Sequence, residues 1–65
     1  MRVIVNGQSA DVAATDLPGL LAELDYAGSH MAIAVNHEVV PRRRWSGVAL
    51  NDGDCIEILT PRQGG

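Results

Sequence analysis

The last six residues of the chain, Thr60 to Gly65, read TPRQGG and close on two glycines. The reactive group the two glycines can offer is the carboxylate of Gly65, because neither carries a side chain. At roughly 3.3 to 3.6 Å per residue, six residues reach about 20 Å, far enough to deliver that carboxylate into a partner's active site. Two glycines make the tip as thin as a polypeptide can be, and any side chain there would obstruct a narrow channel. A frayed terminus is the ordinary reading of such a stretch, so the other reactive residues have to be weighed beside it.

None of them forms a catalytic or metal-binding set. His30 and His37 have no second ligand at helical or hairpin spacing, and neither sits beside a Ser or Cys in a way that suggests a nucleophile pair, which makes them surface or turn histidines, and no metal is implied. Cys55 has Asp54 and Glu57 as sequence neighbours, a setting that disfavours the thiolate, and is expected to act as a small apolar residue. Asp52 and Asp54 belong to an Asn-Asp-Gly-Asp cluster, where aspartate is favoured for bonding the turn backbone, so a carboxylate pair with Glu57 is not read as an acid/base site. The basic cluster Arg42-Arg43-Arg44, followed by Trp45, is either a solvated loop or a docking point for an acidic partner, with Trp45 plugging the edge of the core or anchoring the contact. No catalytic residue is assigned to this chain.

Composition narrows the classes further. Sixty-five residues make one domain, and a chain this short buries only about 60% of its unfolded surface. With 46% hydrophobic residues but no Phe, one Trp and one Tyr, the core must be built from Val, Ile, Leu and Ala. A single cysteine excludes an internal disulfide framework and fits a reducing cytoplasm. The net charge of −3 argues against nucleic acid. No stretch approaches the roughly 20 apolar residues of a membrane span, and the opening MRVIVNGQ is too short and too soon broken by a turn to be expected as a signal peptide. All five basic residues are arginine, so no lysine is present to form a Schiff base or accept an isopeptide bond.

The elements that must position the tail can be read from periodicity. Residues Arg2 to Val5 alternate around Val3 and Val5, Asn6-Gly7 supplies a type I′ turn, and the alternation resumes from Gln8 to Val12, which predicts a hairpin. Leu17, Leu20, Leu21 and Leu24 fall on one helical face. Asp16 is placed as N-cap, Pro18 in the first turn, and Gly28 as the stop after a helix ending near Tyr26. MAIAVN, Met31 to Asn36, predicts a buried strand. A turn at Asn36 to Glu38 leads to a short strand at Val39-Val40 stopped by Pro41, and the arginine run that follows is a connection with room for one helical turn. A short extended piece near Val48 to Leu50 and a last strand, Cys55 to Leu59, complete the order, with Ile56 and Ile58 on one face. A single leucine stripe covers only one side of a sheet. The predicted fold is α+β: a mixed sheet of four to five strands with one main helix on one face, its first and last strands side by side in the centre. That is the β-grasp, spanning residues 1–59, with 60–65 as a flexible tail.

Val35-Asn36 before the turn, Val40-Pro41-Arg42 with Trp45, Asp52-Gly53-Asp54 with Ile56-Glu57-Ile58, and the final Gly64-Gly65 stand in an order and spacing that resembles the ubiquitin-like sulfur carriers of thiamine biosynthesis, across essentially the whole chain. The resemblance implies that the Gly65 carboxylate is adenylated by a ubiquitin-activator-like adenylyltransferase using ATP and magnesium, neither bound by this chain. It further implies that sulfur displaces AMP to leave a thiocarboxylate, and that thiazole synthase takes the sulfur. Gly64 would thread the channel, and docking is expected around Arg42, Trp45 and Leu59. A carboxylate oxygen leaves poorly, which is why a mixed anhydride must precede attack by sulfur. The chain would then be a consumed co-substrate and not an enzyme. Pro61-Arg62 departs from the smaller or apolar residues expected at the start of such a tail, and stiffens it.

Three rival readings share the same residues. One is a sulfur carrier for molybdenum cofactor, cysteine or tRNA thiolation. Another is a protein modifier forming isopeptides through the same activated terminus. The third is a β-grasp binding module with an inert tail, which alone tolerates removal of Gly64 and Gly65.

Overall fold

A computed structural model describes residues 1–26 and 30–60. Strand β1 (Arg2–Val5) and strand β2 (Gln8–Asp11) form the expected antiparallel hairpin. Its turn has φ of 51° at Asn6 and 83° at Gly7, the two positive values that a type I′ turn requires and that match the twist of the flanking strands.

Helix α1 (Leu17–Glu23) starts where the sequence places it. Asp16 is extended, and its carboxylate oxygen accepts the Gly19 N–H at 2.9 Å, while Pro18 sits in the first turn without breaking a bond. The helix ends earlier than the expected Tyr26. Asp25 takes φ of 68°, and the N–H groups of Asp25 and Tyr26 bond back to the carbonyls of Ala22 and Leu21 at 3.2 and 2.9 Å. This is a Schellman closure with aspartate in the left-handed position that glycine usually takes. Gly28, the expected stop, lies outside the described residues.

Strand β3 (Ala32–Val35) and strand β4 (Glu38–Val40) make a second antiparallel hairpin, turned through Asn36 and His37 at φ of 52° and 72°. Pro41 ends β4, and the arginine run forms a six-residue 3₁₀ helix, Arg42–Gly47. The extended piece near Leu50 amounts to one bridge, Asp16 to Ala49, backed by the Leu50 N–H donating to the Thr15 carbonyl at 2.9 Å.

Strand β5 (Cys55–Leu59) completes a five-stranded sheet of order β2-β1-β5-β3-β4. It runs parallel to β1 and antiparallel to β3, so the first and last strands form the centre. The inner face, with Val3, Ile33, Ile56 and Ile58 each at most 2% exposed, packs with Leu17, Leu20 and Leu21 in one core that Trp45 and Leu50 also join. Full burial of each aliphatic side chain contributes about 1.5–3 kcal/mol.

Candidate functional site

Alternation along β5 decides what the tail's root presents to solvent. Ile56 and Ile58 point into the core, which turns Cys55, Glu57 and Leu59 to the opposite face. Register then sets Ala34 beside both Glu57 and Val39, Ala32 beside Leu59, and Ile4 beside Cys55. On this uncovered side the two alanines leave a shallow hollow of about 260 Å³, walled by Val39, Leu59, Glu57 and His37. Val39 is 75% and Leu59 63% exposed. An apolar pair this open, directly before the chain leaves the sheet, has the character of an interaction surface.

The structure does not gather the three expected docking residues. Leu59 lies on the open face of the sheet. Arg42 and Trp45 belong to the opposite side, where they border a groove with Leu21, Tyr26 and Met31 between α1 and the 3₁₀ helix. Of the two roles open to Trp45, it fills the core edge: it is only 6% exposed and its Nε1–H donates to the Val40 carbonyl at 2.8 Å. What it offers outward is a stacking platform for exposed Arg42, whose guanidinium carbon lies 5.0 Å from the ring centroid. Arg44 instead shares a recess with Val39, Val40 and Pro41.

The remaining candidates fall as their turn and surface readings require. His30 is exposed and His37 sits in the second turn. Asp54 is buried at 9% exposure and accepts from Asn36 Nδ2 at 3.0 Å and the Asn51 N–H at 2.8 Å, while Asp52 accepts the Arg2 N–H at 2.7 Å. Cys55 is free and half-buried. Among the described residues no three His, Cys, Asp or Glu side chains are grouped to hold a metal, and no helix is long and apolar enough to cross a membrane. Gly64 and Gly65 lie outside the described residues.

Two asparagines that sequence reasoning assigned only to turns also bond β5. Asn6 Oδ1 accepts the Ile58 N–H at 2.8 Å and its Nδ2 donates to the Ile58 carbonyl at 3.2 Å. Asn36 Oδ1 accepts the Cys55 N–H at 3.0 Å. The Asn-Gly dipeptide signals the turn, but nothing local signals a bond to a strand some fifty positions onward.

With this geometry fixed, comparison with known proteins decides the family. The ThiS family model matches residues 3–65. The chain belongs to the ThiS family. Its function is that of a sulfur carrier in thiamine biosynthesis. The sulfur carrier protein ThiS of Escherichia coli K12 is 33% identical over 66 aligned positions, spanning the whole of both chains. A thiazole synthase of Paramagnetospirillum magneticum is 35% identical over 66 positions, which cover all of this chain and 20% of that protein. The crystal structure of a ThiS protein from Geobacter metallireducens superposes with a TM-score of 0.84 at 29% identity over the full length of both chains. A solution structure of a thiamine biosynthesis protein from the same organism gives 0.80 at 29% identity, covering 100% of this chain and 88% of that one. The ThiS-family chain has the β-grasp fold that the order of its elements predicted.

Proposed function

We propose that this ThiS-family carrier works through the carboxylate of Gly65 and uses its folded domain as the handle by which partners hold it. ATP converts the carboxylate to an acyl-adenylate with release of pyrophosphate, on an adenylyltransferase that supplies magnesium and the catalytic groups. A sulfur nucleophile then attacks the activated carbonyl, the bond to AMP breaks, and a thiocarboxylate remains. Thiazole synthase is the acceptor of that sulfur. A protein named thiazole synthase that holds within one polypeptide a stretch resembling this entire chain supports the pairing.

The observation that carries the reading is the position of Leu59. It is the last residue of β5 and 63% exposed, so the partner that covers the open face also receives the tail at its root. Gly64 serves as the thin segment behind the reacting carbonyl, Leu59 and Val39 as the apolar contact, and Arg42, raised on Trp45, as a second contact for an acidic surface on the opposite side.

The test is the intact mass of the protein after incubation with ATP, a sulfur source and a lysate of its host. Exchange of one oxygen for sulfur is expected, and none in a variant lacking Gly65. No change of mass, while a control carrier is converted in the same lysate, would leave a β-grasp binding module with an inert tail.

A further inference from the structure

Backbone pairing between β1 and β5 stops short of the tail. The Ile4 N–H donates to the Asp54 carbonyl and the Asn6 N–H to the Ile56 carbonyl, both at 2.9 Å. At Asn6 the chain enters its turn with φ of 51°, and β1 has no further backbone to offer the next step of the ladder. The Asn6 side chain fills that step. A primary amide has an acceptor and a donor side by side, like a peptide group. Asn6 applies both to one residue, taking the Ile58 N–H at 2.8 Å and giving to the Ile58 carbonyl at 3.2 Å. The same Nδ2 lies 3.5 Å from the Tyr26 hydroxyl, where the chain leaves α1.

Asn36 does the matching work at the opposite end of β5. It has nearly the same backbone angle, φ of 52°, and its amide holds the Cys55 N–H and the Asp54 carboxylate. The strand is thus gripped at both ends by turn asparagines, but only Asn6 grips the end from which the tail departs.

We propose that Asn6 is a positioning residue for the C-terminal carboxylate: by fixing the Ile58 peptide it fixes the point and direction from which the tail leaves the sheet. This rests on the carrier reading above. A tether delivers its end efficiently only when its root is fixed relative to the docked surface, since loosening the root spreads the reacting group over more positions. Asn6 does not line the open apolar face, and its two shorter hydrogen bonds both go to the Ile58 peptide, so its proposed effect runs through that backbone.

The test compares Asn6→Gly with Asn36→Gly in the full chain. Glycine keeps the positive φ of each turn and deletes the amide, with an added entropic cost common to both variants. Amide hydrogen exchange, global stability and steady-state adenylation by the host's activating enzyme are measured on both variants and on the unaltered protein. In Asn6→Gly, exchange at the Ile58 amide is expected to rise at least tenfold beyond any rise at the Val3 and Ile33 amides, which follow global stability. Its kcat is expected to fall roughly 3- to 10-fold, the scale of about one net hydrogen bond, with KM within about twofold. Asn36→Gly is expected to lose stability yet keep its kcat. Equal losses of kcat in both variants would reduce Asn6 to a structural role and overturn the proposal, as would an unchanged kcat or an unchanged Ile58 exchange rate in Asn6→Gly. If the unaltered protein is not adenylated while a control carrier is, the carrier reading itself fails and the proposal with it.

Discussion

Replacing Leu59 by alanine separates docking from folding. Full burial of a leucine side chain is worth about 1.5–3 kcal/mol, and 63% of Leu59 remains exposed in the free chain. Covering that remainder with a partner therefore contributes about 1–2 kcal/mol at most, with the β-carbon share retained by alanine. At 1.4 kcal/mol per factor of ten, loss of this contact raises KM for the activating enzyme severalfold, up to roughly 30-fold. The fold loses little, because an exposed side chain away from the core changes stability by about 0.5 kcal/mol or less. Pyrophosphate exchange measured across carrier concentrations, beside urea denaturation of the same samples, reads both quantities. An unchanged KM in a fully stable Leu59→Ala variant would refute docking through the open face. A stability loss well above 1 kcal/mol would show that Leu59 serves the core instead.

Trp45→Phe keeps most of the apolar volume but leaves the Val40 carbonyl without its indole donor, and is expected to cost about 1–3 kcal/mol in chemical denaturation. Glu23→Ala removes a carboxylate that accepts from the Ala13 and Ala14 N–H groups at 2.9 to 3.1 Å. Because this stitch between α1 and the preceding loop is solvent-exposed, a loss of only about 1 kcal/mol is expected, together with faster exchange of those two amides.

Where the determinants are local, the sequence was legible. Asp16 and Pro18 announce the start of α1 because capping and first-turn chemistry act within three residues. The alternation of Ile56 and Ile58 announces the inner face of β5 for the same reason, since side-chain direction in a strand follows position alone. The end of α1 was misplaced because Asp25 adopts the backbone shape for which glycine is the usual sign, and the backbone bonds from Asp25 and Tyr26 make that shape hold. Trp45 could be read two ways until the Val40 carbonyl was seen to receive its N–H. The separation of Arg42 from Leu59 and the second role of Asn6 depend on tertiary placement, which no window of neighbouring residues encodes. The tail bearing Gly64 and Gly65, the strongest chemical signal in the sequence, lies beyond the described residues.

The central position of β5 also governs when this domain can come into existence. The two hairpins, β1 with β2 and β3 with β4, close over short turns and can form early. Neither borders the other in the finished sheet: both meet only through β5, whose Ile58 bonds to Asn6 across a separation of 52 residues. Such a long-range pairing bears the entropy of closing a large part of the chain, which slows folding. On the ribosome the domain therefore stays two unjoined halves until its last strand has emerged. A product broken off before β5 has no centre to fold around, so a folded domain arises only from chains synthesised through that strand.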